Sequence, residues 1–407
     1  MKSRLAACLV AALLPCPVMA QELQLHGYVD ARWQANSSDE RAWVHGGTGK
    51  ASFGKGDEAL QPGGAALAAH WQATPALSAV ATVQWQPRTS PSLGVLEAYL
   101  RYRPVSMTPW RWSARLGAFF PPVSLENDAV GWTSPWTLTP SAINSWVGEE
   151  LRSFGAEFRV ERRAAAGTFE LGLAGFRSND PAGELLASRG WSMGDVTSAW
   201  NVRLREPDAY AAVARTSRPV TFNPFVETDG CTGWHADASW RRDDGARLTM
   251  MHYDNRADPE SFDLQRGRRV FSWRTRFSGV GAVLPIGSMT LLAQLMDGST
   301  AFEPVEGFYL DTRFHAGYLL AGWERGNWRP ALRLDVFSLR QTPDFLAAPL
   351  SEHGRSVTAA LGWRPRPWLR LSAEVLRIDS VRRQRLLVGL PAAQTDTQMQ
   401  VSLRLLF

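Results

Sequence analysis

Apolar and polar side chains alternate with a period of two along almost the whole chain, most sharply in its last thirteen residues, T-D-T-Q-M-Q-V-S-L-R-L-L-F. On an extended backbone Met399, Val401, Leu403, Leu405 and Phe407 share one face, and Gln398, Gln400, Ser402 and Arg404 share the other. The pattern opens the chain too, where Leu23, Leu25, Val29 and Trp33 oppose Gln24, His26, Tyr28 and Asp30. It returns with Leu96, Ala98, Leu100 and Tyr102 against Glu97, Tyr99, Arg101 and Arg103, and again with Trp110, Trp112, Ala114 and Leu116 against Arg111, Ser113 and Arg115. Sixteen such segments can be laid along the chain. In the tenth the same logic puts Phe271, Trp273, Thr275 and Phe277 outward and Arg274 and Arg276 inward. The twelfth, near 311–323, is apolar on both faces.

The connections add a second constraint. Short turns near Thr74, Pro109, Gly167, Gly245, Gly287, Gly326 and Pro365 follow even-numbered segments, and long intervals follow odd-numbered ones. That parity is what an antiparallel transmembrane β-barrel requires, with short periplasmic turns, long extracellular loops and both ends on one side. The expected fold is therefore an all-β barrel of about 16 strands spanning 21–407 as one domain. The count becomes 18 if the interval 179–228 hides another hairpin. Composition agrees: mean hydropathy is −0.21, and beyond the amino terminus no apolar run nears the roughly 20 residues of a spanning helix. The 18 Trp and 18 Phe suit two interfacial belts. Residues 1–20 read as a secretory signal, with Lys2 and Arg4 before the apolar Leu5–Leu14 and a Val18-Met19-Ala20 cleavage site. Its removal leaves Cys231 as the one cysteine and excludes an internal disulfide.

A closing strand that ends in Phe resembles those of bacterial outer-membrane β-barrel proteins, whose assembly machinery reads such a strand; here that strand is 395–407. In architecture the chain resembles the porins. The resemblance implies the outer membrane as location, contact with membrane lipid and lipopolysaccharide, and a water-filled channel for small hydrophilic solutes. It also leaves a homotrimer open. About 16 strands leave an aqueous channel, and inward charges stay hydrated only if the lumen is wet. The segment 121–150, after the fifth strand, stands where porins fold a loop into the channel. Its Glu126, Asp128, Glu149 and Glu150 are expected to face Arg101, Arg103, Arg111, Arg115 and Arg159 across a constriction, with Arg274, Arg276 and Arg333 lining the wall. Such opposed charges set up a transverse field, and surplus arginine favours anions. Among porins the phosphate-selective family is the nearest comparison. Those channels use lysines beside an arginine ladder; here only Lys2, Lys50 and Lys55 are lysine, and none lies on a predicted strand, so phosphate selectivity is not carried over.

Other classes find less support. The 44 basic residues outnumber the 39 acidic ones, yet the arginines are scattered one or two to a strand, unlike a nucleic-acid surface. The seven histidines are dispersed, no serine sits in a nucleophile elbow, and His235 beside Asp237 is the nearest approach to a catalytic pair. No two His or Cys fall at metal-ligand spacing, and no cofactor is implied. The main alternative is a surface receptor or adhesin that uses Trp191, Trp200 and Phe225 in the outer loop 179–228.

Overall fold

The computed structural model describes residues 22–209, 221–265, 268–306, 308–343 and 350–407, so the signal segment 1–20 lies outside the described residues. Sixteen antiparallel strands form one closed barrel. They are β1 (Glu22–Asn36), β2 (Leu60–Gln72), β3 (Leu77–Trp85), β4 (Leu93–Tyr102), β5 (Trp110–Phe119), β6 (Ser153–Ala164), β7 (Gly167–Arg177) and β8 (Gly233–Arg241). The circle continues with β9 (Arg247–Asp254), β10 (Arg274–Ile286), β11 (Met289–Phe302), β12 (Leu310–Trp323), β13 (Trp328–Pro343), β14 (Leu350–Arg366), β15 (Leu369–Arg382) and β16 (Ala393–Leu406). Two small ribbons, Leu204–Arg205 with Thr221–Phe222 and Phe262–Gln265 with Arg268–Phe271, stand apart from it. The interval 179–228 thus contributes a ribbon but no barrel hairpin among the described residues.

Closure is a main-chain event. β16 pairs with β1 from Tyr28↔Leu406 to Asn36↔Gln398, and Gly27 and Phe407 exchange both backbone hydrogen bonds, at 2.8 and 3.1 Å. The Phe407 ring lies where a side chain on residue 27 would stand, since a Cβ there would meet the ring at 2.4 Å. Glycine is the residue this position accepts.

Leucine, valine and tryptophan cover the outside, as lipid contact requires; Leu23, Leu100, Leu171 and Leu295 are all exposed. Trp328 and Trp363 stack at 5.5 Å near the short-turn end, and Trp368 and, on the opposite side of the barrel, Trp110 are exposed at the same end, so these rings contribute to one aromatic belt. The two sides of the barrel differ in height. Strands β3 to β9 run 8–12 residues, whereas β10 to β16 run 13–17. The extra residues lie at the long-loop end, so β13 to β16 continue through intervals that the sequence pattern reads as loop.

A candidate channel lumen

The segment after β5 enters the barrel and forms helix α1 (Ala142–Glu150), every residue of which is buried. Ser141 caps it, accepting a 3.3 Å hydrogen bond from the Asn144 amide. The wall of β11 to β16 holds the segment through its inward polar residues. Gln294 accepts from the Leu125 amide at 3.1 Å and donates to the Val123 carbonyl at 2.6 Å. Glu374 accepts from the amides of Leu138 and Thr139, and Asp335 from that of Ala142 at 3.2 Å. Arg333 donates to the Thr139 carbonyl at 2.7 Å and pairs with Glu126 at 3.2 Å and Asp335 at 2.9 Å. Backbone groups taken out of water need such partners, and here the wall supplies them.

A second insertion follows β7. It carries helix α2 (Glu184–Arg189), whose first amides, Leu185 and Leu186, donate to Glu150 at 2.8 and 3.2 Å, a carboxylate at a helix amino terminus. Lys50, from the β1–β2 connection, binds Glu352 at 2.6 Å and the carbonyls of Arg189 and Trp191; burial lowers its pKa to about 8. Glu352 also accepts from Arg382 at 2.8 Å. Gly190 (φ +79°) sits against this pair, where a Cβ would overlap the Glu352 carboxylate. Asp195 lies between Arg32 and Arg88, which hold its carboxyl well below the usual carboxylate range against the penalty of burial. Aromatic rings bind the insertions to one another and to the wall: Trp146 of α1 meets Trp191, Phe277 and Phe314 at 5.2–6.1 Å, and Tyr253 stacks between Phe176 and Phe277.

The wall of β4 to β9 is different. Arg101, Arg103, Arg111, Arg115 and Arg159 project inward as the alternation predicts and keep partial water contact. Three of them pair with carboxylates of the same wall. Arg103 pairs with Glu161 at 3.0 Å, Arg115 with Glu157 at 2.7 Å, and Arg159 with Glu157 at 2.7 Å and Asp237 at 2.9 Å. Across this face eight guanidiniums (Arg101, Arg103, Arg111, Arg115, Arg159, Arg163, Arg241, Arg247) stand with five carboxylates (Glu97, Glu157, Glu161, Glu170, Asp237). At the short-turn end a cavity of about 630 Å³ opens beneath the first insertion, lined by Arg329, Arg364, Arg370 and Arg404 with Tyr28 and Asp128.

Several expected pore-lining residues lie elsewhere. Glu126, Glu149, Glu150 and Arg333 are fully buried and locked in place, Glu126 to Arg333, Glu149 to Arg189, and Glu150 to Trp146 and the α2 amides. Burial raises both Glu149 and Glu150 to about 7. The expected field between these carboxylates and the arginines of β4 to β6 therefore does not form; of the four acids only Asp128 reaches water, and it lines the short-turn cavity. Arg274 and Arg276 point outward, because Thr275 and Phe277 occupy the inner face of β10 against the insertions. The polar anchors Gln294, Glu352 and Asp195 carried no signal beyond an inward place on a strand or a lone acid in a loop.

His235 is buried between Phe119 and Phe176, and neither ring nitrogen has a partner. It makes no hydrogen bond to Asp237, which belongs to Arg159. The ligand atoms of Glu157, His235 and Asp237 come within 4.8 Å of one another, but the guanidiniums of Arg115 and Arg159 hold positive charge beside them and oppose a cation. A second group, Asp180, Glu227 and Asp229, lies among the outer loops, its carboxylates accepting from the amides of Thr228, Ser178 and Cys231.

Comparison with known proteins finds no matching family model and no matching curated sequence. Solved structures do match. The outer-membrane channel DcaP of Acinetobacter baumannii aligns with a TM-score of 0.56 at 12% identity, covering 95% of this chain and 97% of its own. An anion-selective porin from Comamonas acidovorans aligns with 0.51 at 11%, covering 95% and 100%. OmpT, an outer membrane protein of Vibrio cholerae folded in vitro, aligns with 0.51 at 9%, covering 96% and 98%. At these identities the likeness is one of fold. The chain has the 16-stranded porin-type fold, and the apolar band around it places it in an outer membrane.

Proposed function

We propose that this porin-type barrel conducts small hydrophilic solutes along an off-centre route bounded by the arginine-rich face of β4 to β9, with a preference for anions. The observation that carries the reading is the division of the lumen: the insertions pack against β10 to β16 and the long-loop end of β4 to β9, while the short-turn half of the β4 to β9 inner face keeps charged side chains in contact with water. Charged groups on a channel wall stay ionised at low cost only where water reaches them. A wall with more guanidinium than carboxylate lowers the barrier for anions relative to cations. The arginine-lined cavity at the short-turn end continues the same bias toward the periplasm. The anion selectivity named for the Comamonas porin is consistent with this reading.

The described parts of the insertion, 179–209 and 221–228, cover the long-loop end, so the expected conductance is low for a barrel of this size. The receptor reading loses its aromatic surface: Trp191 and Phe225 are buried, and Trp200 packs edge-on against Phe154 at 5.4 Å. The part of that loop from 210 to 220 lies outside the described residues. The test is planar-bilayer recording of the purified protein in a salt gradient. Stepwise openings with a reversal potential on the anion side are expected. The joint substitution Arg111→Ala and Arg115→Ala should move that potential toward the cation side; an unchanged potential overturns the proposed route.

A further inference from the structure

On the outside of β10 to β13 the strand register stacks three tiers of outward side chains, each running across four neighbouring strands. Nearest the long-loop end come Arg276, Ser299, Arg313 and Arg340. Next come Ser278, Asp297, His315 and Ser338, with His315 Nδ1 2.5 Å from Asp297. Below them lie Val280, Leu295, Gly317 and Val336. The lowest tier is where the lipid-facing surface begins.

That surface is not smooth. A depression of about 580 Å³ is lined by Leu295, which leans over Gly317, and by Val336, with Ser278, Asp297, His315 and Ser338 along its upper edge. A second groove of about 550 Å³ adjoins it through Val280 and Leu295 and runs over Ala238, Ala282 and Ala293. Small side chains in an otherwise bulky apolar band make a continuous apolar trench. At its head, Arg276 and Arg340 have no carboxylate partner among the described residues, and Arg313 has one solvent-exposed contact, Asp311 at 3.3 Å. Guanidinium groups left over at a membrane boundary match phosphate in charge and geometry.

We infer that this face is a binding site for one phosphorylated acyl lipid of the extracellular leaflet, its phosphate held by Arg276, Arg313 and Arg340, its sugar or glycerol hydroxyls beside Ser278 and Ser338, and a chain in the trench. The commitment to a lipid rests on the continuity of the two grooves with the cationic tier, since a free anion has no use for the trench and an apolar contact with a second copy of the chain has none for the guanidiniums.

The test is native mass spectrometry of the detergent-purified full chain titrated with bis-phosphorylated lipid A, with the same lipid lacking phosphates, and with inorganic phosphate. One lipid should bind saturably, and the dephosphorylated form roughly tenfold or more weakly. The triple variant Arg276→Ala, Arg313→Ala, Arg340→Ala should show the same loss while its conductance stays unchanged, because these side chains face away from the lumen. Ala293→Phe, which fills the trench and keeps the arginines, should weaken the lipid and spare any response to inorganic phosphate; it also serves if the triple variant fails to fold. Equal binding by wild type and Ala293→Phe, or displacement of the lipid by millimolar phosphate alone, overturns the site. So does cross-linking between copies through Ser338→Cys, which would make the face a subunit contact.

Discussion

The two halves of this barrel are built on one backbone pattern and do opposite things with it. Toward the short-turn end of β4 to β9 the inner face is charged and wet; from β10 to β16, and along the long-loop end of β4 to β9, it is a mixture of aromatic, aliphatic and polar groups pressed against inserted chain. Outside, the first half is apolar nearly to its rim, while the second rises past the lipid and shows arginine and histidine to the solvent. The difference teaches that a strand's polarity reports what its neighbour is, and that neighbour need not be water within and lipid without. Phe277 and Thr275 face inward because Trp146 and the α2 segment occupy the interior there; Arg274 and Arg276 face outward because that part of β10 stands above the lipid.

The strongest way to break the contrast is to empty the packed half. Glu352→Ala strands Lys50 and Arg382 without their shared carboxylate, and losing one partner of a buried ion pair costs about 3–5 kcal/mol. The expected result is loss of hydrogen-exchange protection over 182–193 together with a higher single-channel conductance. Unchanged conductance would mean that the second insertion does not limit flow. Arg333→Ala removes the arginine that ties Glu126 and the Thr139 carbonyl of the first insertion to β13 and should destabilise by a similar amount, read as a lower melting temperature in detergent.

The contrast can be sharpened with pH. Glu149 and Glu150 are raised to about 7 by burial, so the folded state binds protons that the unfolded chain releases near the ordinary 4.5. Their contribution is present in full below about 4.5 and is lost as pH rises through about 7. Protection of the α1 amides, measured by hydrogen exchange from pH 5 to pH 8, should therefore decline with rising pH beyond the intrinsic chemical acceleration, while amides of β6 and β7 follow that acceleration alone. The smallest effect expected is that of Ser141→Ala, which removes the cap of α1 and costs about 1 kcal/mol. It should raise exchange at the start of the helix and leave ion selectivity untouched.

Where the two-residue period was strong and the surroundings ordinary, the sequence was readable. Arg101, Arg103, Arg111, Arg115 and Arg159 project inward as the alternation implies, and the parity of short and long connections corresponds to sixteen strands. The tops of β13 to β16 were not readable as strand, because their outward residues turn polar once they leave the lipid and then look like loop. Nor was the fate of Glu126, Glu149 and Glu150. A carboxylate in a long connection carries no mark that tells whether it will meet water or an arginine from the far wall, and the partners here are separated by up to 207 residues. β12, apolar on both faces in the sequence, was the clue that something other than water filled that side: Phe314, Tyr318 and Leu320 are the inner surface that receives the insertions.

The geometry of the insertions has a mechanical side. In the closed order of strands β5 lies eight places from β13, and β7 eight places from β15, so each pair sits at opposite ends of a diameter. The chain that leaves β5 is moored at Arg333 on β13, and the chain that leaves β7 is moored at Arg382 on β15. A hollow tube held only by its rim flattens easily under sideways load; two crossing spars keep its section round. Any passage through this protein is thus shaped by the same members that stop the tube from buckling, and widening it by cutting a spar would soften the wall.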